Sequence, residues 1–262
     1  MIEKCLEAIK NRDLMEAMKF AKQAVKTYPD NFKSYLCLAS VYYDIGNLEK
    51  ALENFKKAEE LTNDEEQLMH IYQYMGEIFA DMNKLDDALI YFNKALTSAK
   101  NTNNSISYIL TRIADTYFRK EDLKKSVEYY DKAFKSGKEE DASIEFIAGV
   151  INNQSVALTK LGYYKEAIKL LEHLLTLGSA NNNPVIVCLS EINLGSAYFM
   201  MGNNNMAKKY LISGLNHAKE LGDKGLEAIA YLYLGDILNN EDYLNQAEKL
   251  FKEINDPYNQ PN

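Results

Sequence analysis

Five side chains suited to recognition recur at nearly constant spacing. Tyr74, Arg112, Asn153, Asn193 and Tyr233 stand 38, 41, 40 and 40 residues apart. An asparagine carboxamide offers a donor and an acceptor side by side, so it can pair with the N–H and C=O of an extended peptide whatever that peptide's side chains. Arginine adds a fork for carboxylates, and tyrosine supplies apolar area with a polar tip. Groups suited to catalysis are scattered instead. His70, His173 and His217 have no His, Cys or acidic companion at metal-binding spacing such as HExxH. The sequence has no Gly-rich phosphate loop and no GxSxG elbow. Cys5, Cys37 and Cys188 are odd in number and far apart, so neither a disulfide framework nor a metal knuckle is expected, only buried thiols. The acid pairs Glu59/Glu60, Glu65/Glu66 and Glu139/Glu140 fall at expected helix ends or loops. Met75, Met200 and Met201 suit packing or groove lining rather than redox work. The expectation is a chain that is not an enzyme and needs no cofactor or metal.

The even spacing points to repeated elements. A Leu or aromatic followed by a small residue marks Ala17, Ala51, Ala88, Ser126, Ala167, Ala207 and Ala247, at intervals of 34, 37, 38, 41, 40 and 40 residues. Such a period means an array of supersecondary units, each too small to bury its own apolar face. In FKSYLCLASVYYDIGNLEKALENFKKAEELT, Tyr35, Leu38, Ala39 and Tyr42 follow the i, i+3, i+4, i+7 pattern of one helix face. Ile45-Gly46-Asn47 is a stop and turn. Leu48, Ala51, Leu52, Phe55 and Ala58 then form a second amphipathic helix. The spacing predicts a helical hairpin. The small residues Ala39, Gly76, Ala114, Ser155, Gly195 and Gly235 fall where two helices must approach closely. Three positions deviate. Ser126 replaces alanine, Gly214 falls inside a helix, and Gln154 occupies a place where neighbouring repeats carry Met75, Ile113, Leu194 and Leu234.

This pattern resembles the tetratricopeptide repeat (TPR), with a large–Leu–small–aromatic first helix and an Ala–aromatic–Ala second helix. Seven repeats fit, at about 1–31, 32–66, 67–104, 105–142, 143–183, 184–223 and 224–258, which makes 1–262 a single array. The longer repeats resemble the branch seen in kinesin light chains, polarity scaffolds and bacterial peptide-sensing regulators. The extra residues are expected after the second helix. GKEEDAS (137–143) and SANNNP (179–184) are expected as polar connectors. The resemblance implies an all-α, right-handed superhelix of about seven hairpins whose first helices line a concave groove. Helix arithmetic on those first helices places Tyr74, Tyr108, Arg112, Arg119, Asn153, Lys160, Asn193 and Tyr233 on the groove side. Arg112, Asp115 and Arg119 are also spaced for intrahelical ion pairs. The family's carboxylate clamp for chaperone tails is not matched, since Glu77 and Asp81 would repel a carboxylate.

The implied role is a non-catalytic scaffold or adaptor holding an extended peptide or a helix; a signalling-peptide sensor or an assembly subunit are the alternatives. The partner is expected to be protein or peptide. A net charge of −8 and a pI near 5.1 argue against nucleic acid and anionic membrane surfaces. No apolar run suits a membrane span, and MIEKCLEAIKNRD is too charged for a secretory signal, so a cytoplasmic location is expected. In the first helix Ile2, Cys5, Leu6 and Ile9 share one side. In the last, Leu244, Ala247, Leu250, Phe251 and Ile254 form a stripe opposite a polar face, and DPYNQPN then breaks it. Both ends look closed, which implies a monomer.

Overall fold

The computed structural model describes residues 1–255, and the DPYNQPN terminator expected at 256–262 lies outside them. The described residues form fourteen α-helices and no strand. They are α1 (Ile2–Lys10), α2 (Leu14–Thr27), α3 (Phe32–Asp44), α4 (Leu48–Glu60), α5 (Glu65–Asp81), α6 (Leu85–Asn101) and α7 (Ser107–Arg119), then α8 (Leu123–Glu139), α9 (Ile144–Lys160), α10 (Tyr164–Ala180), α11 (Pro184–Met200), α12 (Asn204–Leu221), α13 (Lys224–Leu238) and α14 (Glu241–Asn255). The helices form two compact units, Met1–Asp122 and Leu123 onward. Within each, consecutive helices pack against one another, as in a TPR solenoid.

The turns share one chemistry. The residue before the next N-cap takes positive φ at Arg12, Gly46, Asn83, Gly162 and Gly202. The following N–H then bonds back five residues, as in Asn47 to Tyr42, Lys84 to Phe79, and Asn203 to Tyr198, each at 2.8 Å. These bonds satisfy carbonyls that a helix end would otherwise leave open. Asp13, Asn47, Asp64, Asn183, Asn203 and Asp223 cap the helix that follows by accepting a backbone N–H.

The small residues sit where expected. Ala39, Ala114 and Ser155 are fully buried. A β-carbon on Gly76 would lie 2.6 Å from the Phe92 ring, and one on Gly235 would lie 2.5 Å from Leu244. Gly214 is equally confined, at 2.6 Å from Ile192, which accounts for a glycine within α12. Ser126 is buried and its hydroxyl has no hydrogen-bond partner, so the oxygen substitutes for hydrogen at a contact sized for alanine. Gln154 is half-buried, and its Nε2 reaches the Val127 carbonyl at 3.5 Å.

Four expectations change. The extra residues of the later repeats lengthen helices rather than loops, since α6, α8 and α10 have 17 residues against 13 in α4. The connectors accordingly shrink, because α8 runs to Glu139 and α10 to Ala180. Leu6 is 49% exposed, and α1 turns Cys5 and Ala8 inward instead. Cys5 and Cys37 are not thiols but a disulfide between α1 and α3. Stacking successive first helices makes neighbours of residues about one repeat apart, and these two cysteines are 32 residues apart. Cys188 is a buried free thiol, as expected.

Gly235→Leu and Ala88→Leu should each lower stability by roughly 1–3 kcal/mol or more through overpacking. Urea titration followed by far-UV circular dichroism measures this. Parent-like midpoints for both would contradict the assigned contacts.

Candidate peptide-binding faces

In the first unit, α3, α5 and α7 enclose a cleft of about 450 Å³, with Ala80 and Phe92 among its lining. Glu77 and Asp81 stand one turn apart on α5, and each is held by a tyrosine from a neighbouring helix. The Tyr108 hydroxyl of α7 donates to Glu77 Oε1 at 2.7 Å, and the Tyr43 hydroxyl of α3 donates to Asp81 Oδ2 at 3.1 Å. Burial, then the hydrogen bond to Glu77 and its charge, push the Tyr108 hydroxyl up to about 12, with Arg112 opposing. Burial and Asp81 raise Tyr43 as well. Tyr74 stacks on Phe55 at 5.2 Å and meets Tyr43 edge-on.

Arg112 pairs with Asp115 at 2.8 Å, which is the intrahelical bridge its spacing allowed. Its guanidinium lies over the Tyr108 ring at 5.2 Å, while its Nε is buried with no acceptor. Among the described residues, Arg119 Nη2 makes one long 3.4 Å bond, to the neutral Asn83 Oδ1. The cleft thus combines three carboxylates, two guanidiniums and aromatic walls. It suits a polar or charged segment better than an apolar one.

In the second unit, α9 and α11 carry three linked carboxamides. Asn193 Nδ2 donates to Asn152 Oδ1 at 2.6 Å, and Asn152 Nδ2 donates to Asn153 Oδ1 at 3.3 Å. Among the described residues this leaves a donor on Asn153 and an acceptor on Asn193 unused. Asn152 was not singled out in the sequence, yet it joins the two that were. Tyr233 of α13 is half-buried, edge-on to Phe199 at 5.8 Å. Lys160 is exposed at the end of α9.

The sequence reading missed the most buried acid. Glu191 is 8% exposed within α11, where Ser213 Oγ donates to its Oε1 at 2.8 Å and His217 Nδ1 lies 2.6 Å from its Oε2. His217 therefore has an acidic companion in space, 26 residues away across the hairpin rather than at helical spacing. A lone acid in the apolar run PVIVCLSEINLGSAYFM was the available signal. Among the described residues, no cluster of three or more His, Cys, Asp or Glu could hold a metal ion, and no helix is long and apolar enough to cross a membrane.

Sequence profiles of the tetratricopeptide repeat match residues 30–101, 107–136 and 148–180, together more than half of the chain. The chain belongs to the tetratricopeptide repeat family. Among solved structures, a TPR protein from Parabacteroides merdae ATCC 43184 is 18% identical with a TM-score of 0.70, covering 96% of this chain and 90% of that one. RapI in its apo form is 15% identical with a TM-score of 0.70, covering 97% of each chain. NprR in complex with its cognate peptide NprX is 17% identical with a TM-score of 0.63, covering 98% of this TPR chain and 78% of NprR. None of the curated proteins matches the sequence. At these identities the likeness is one of fold.

The alkaline limb of stability tests the tyrosine–carboxylate contacts. A hydroxyl held to about 12 in the fold keeps its proton where the unfolded chain, near 10, loses it. Its contribution is therefore complete below pH ~10 and falls away as the pH rises through that window. Tyr108→Phe should show a shallower loss of urea stability above pH ~10 than the parent. Identical alkaline limbs would contradict the contact.

Proposed function

We propose that this TPR chain is a non-catalytic interaction scaffold that takes an extended peptide along its first-helix faces. The observation that carries the reading is the unused donor on Asn153 beside the unused acceptor on Asn193. One donor and one acceptor on adjacent helices match the C=O and N–H of a peptide backbone, and they ask nothing of its side chains. The cleft of the first unit supports the same reading separately. Tyr108, Arg112 and Arg119 are the groups there that would read side chains, and Tyr74 supplies apolar area. NprR, solved with its cognate peptide, is a precedent for a peptide partner on this fold.

The chain works as a monomer in this reading. Among the described residues of α14, Ala247 is buried while Asn245, Gln246, Glu248 and Lys249 are exposed, a polar outer side fit to end a stack.

A peptide selected from a displayed random library and measured by fluorescence anisotropy tests the proposal. Asn153→Ala and Asn193→Ala should each weaken its binding about tenfold, the worth of roughly 1.4 kcal/mol, with helicity unchanged. Parent affinity in both would remove the carboxamides from the site. Light scattering should give a mass near 29.9 kDa; twice that would contradict the monomer.

A further inference from the structure

The disulfide between Cys5 and Cys37 has a place in the fold that sets it apart from ordinary core packing. It ties α1 directly to α3 over 32 residues of chain, and both cysteines are fully buried. Apart from the disulfide, α1 packs on α2 and α3 through a small face. It is nine residues long and buries only Cys5 and Ala8, with Ile9 partly packed. Its N-cap, Met1, makes no side-chain bond. A helix this short is marginal without tertiary support. The third cysteine does not compete for exchange. Cys188 lies in the other compact unit, and burial, then Glu191 and Asp223, push its thiol up to about 12.

We propose that Cys5–Cys37 is a thiol–disulfide clasp that fastens the first hairpin, so that α1 is docked when the pair is oxidised and released when it is reduced. The reductant is a small thiol of the glutathione class. One thiolate attacks a cysteine sulfur, forming a mixed disulfide and expelling the other cysteine as a thiolate, which takes a proton. A second small thiol then attacks the mixed disulfide at the reagent's own sulfur. It leaves as the oxidised reagent, and the second cysteine is protonated. Two electrons and two protons pass to the protein in all. Because both sulfurs are buried, attack waits on fraying of α1, and the clasp opens at the rate at which that helix lifts. Release uncovers the apolar face formed by Ala17, Ala21, Leu38 and Val41, all buried in the closed form.

Hydrogen exchange with mass spectrometry on the full chain tests the clasp. After treatment with oxidised glutathione, alkylation in denaturant without reductant should label one cysteine, Cys188, and all three after reduction. Dithiothreitol should raise amide exchange in α1 at least ~10-fold and leave α5 and α6 unchanged. Cys37→Ser should match the reduced parent with or without dithiothreitol. Labelling of all three cysteines before reduction would overturn the proposal. So would exchange in α1 that is indifferent to reduction, a result the parent chain gives even if the variant fails to fold.

Discussion

The fold depends on a single recurring constraint, the close approach of a first helix to its own second helix at one small residue. Gly195 against Leu211, Gly235 against Leu244 and Gly76 against Phe92 are the tightest forms among the glycines, because none could carry a β-carbon without displacing its neighbour. The small residue lets a large one from the facing helix fill the gap, and the pair fixes how far the hairpin closes. Each hairpin then presents its first helix to the next at a repeatable distance. Inter-repeat contacts such as Glu77–Tyr108 and Asn152–Asn193 depend on that distance, and they build the candidate faces.

Most of the architecture was legible because the constraint is local. Period, turn residues and small contact residues lie within about forty positions of one another, and each leaves its mark on the chain. Helix lengths were less legible. The residues of GKEEDAS look like a loop by composition, but the first three continue α8, where Gly137 is buried against Phe146 and Ile147. Tertiary packing here overrides a weak local preference for a turn.

The site was legible only as a row of positions. Helix arithmetic picked out Arg112, Asn153 and Asn193, but it could not say how their polar atoms would be spent. Arg112 turned to Asp115 on its own helix, and Asn193 turned to Asn152 rather than to Asn153. Those choices depend on the lateral offset between neighbouring helices, about which periodicity is silent. Pairings across about one repeat were in principle readable. The separations of Cys5–Cys37, Tyr43–Asp81 and Asn152–Asn193 are 32, 38 and 41 residues, close to the repeat length. Glu191–His217 was harder, since its separation of 26 reflects the fold-back of one hairpin and not the repeat length.

The central claim is that a peptide backbone takes up the spare donor of Asn153 and the spare acceptor of Asn193. Side-chain amide resonances in a nitrogen-edited NMR spectrum report on it directly. On titration with a library-selected peptide, the Asn153 carboxamide protons should move downfield as they acquire an acceptor, and the Asn193 carboxamide should shift with them. Shifts confined to α10 and α12, with both carboxamides unmoved at saturation, would contradict the account.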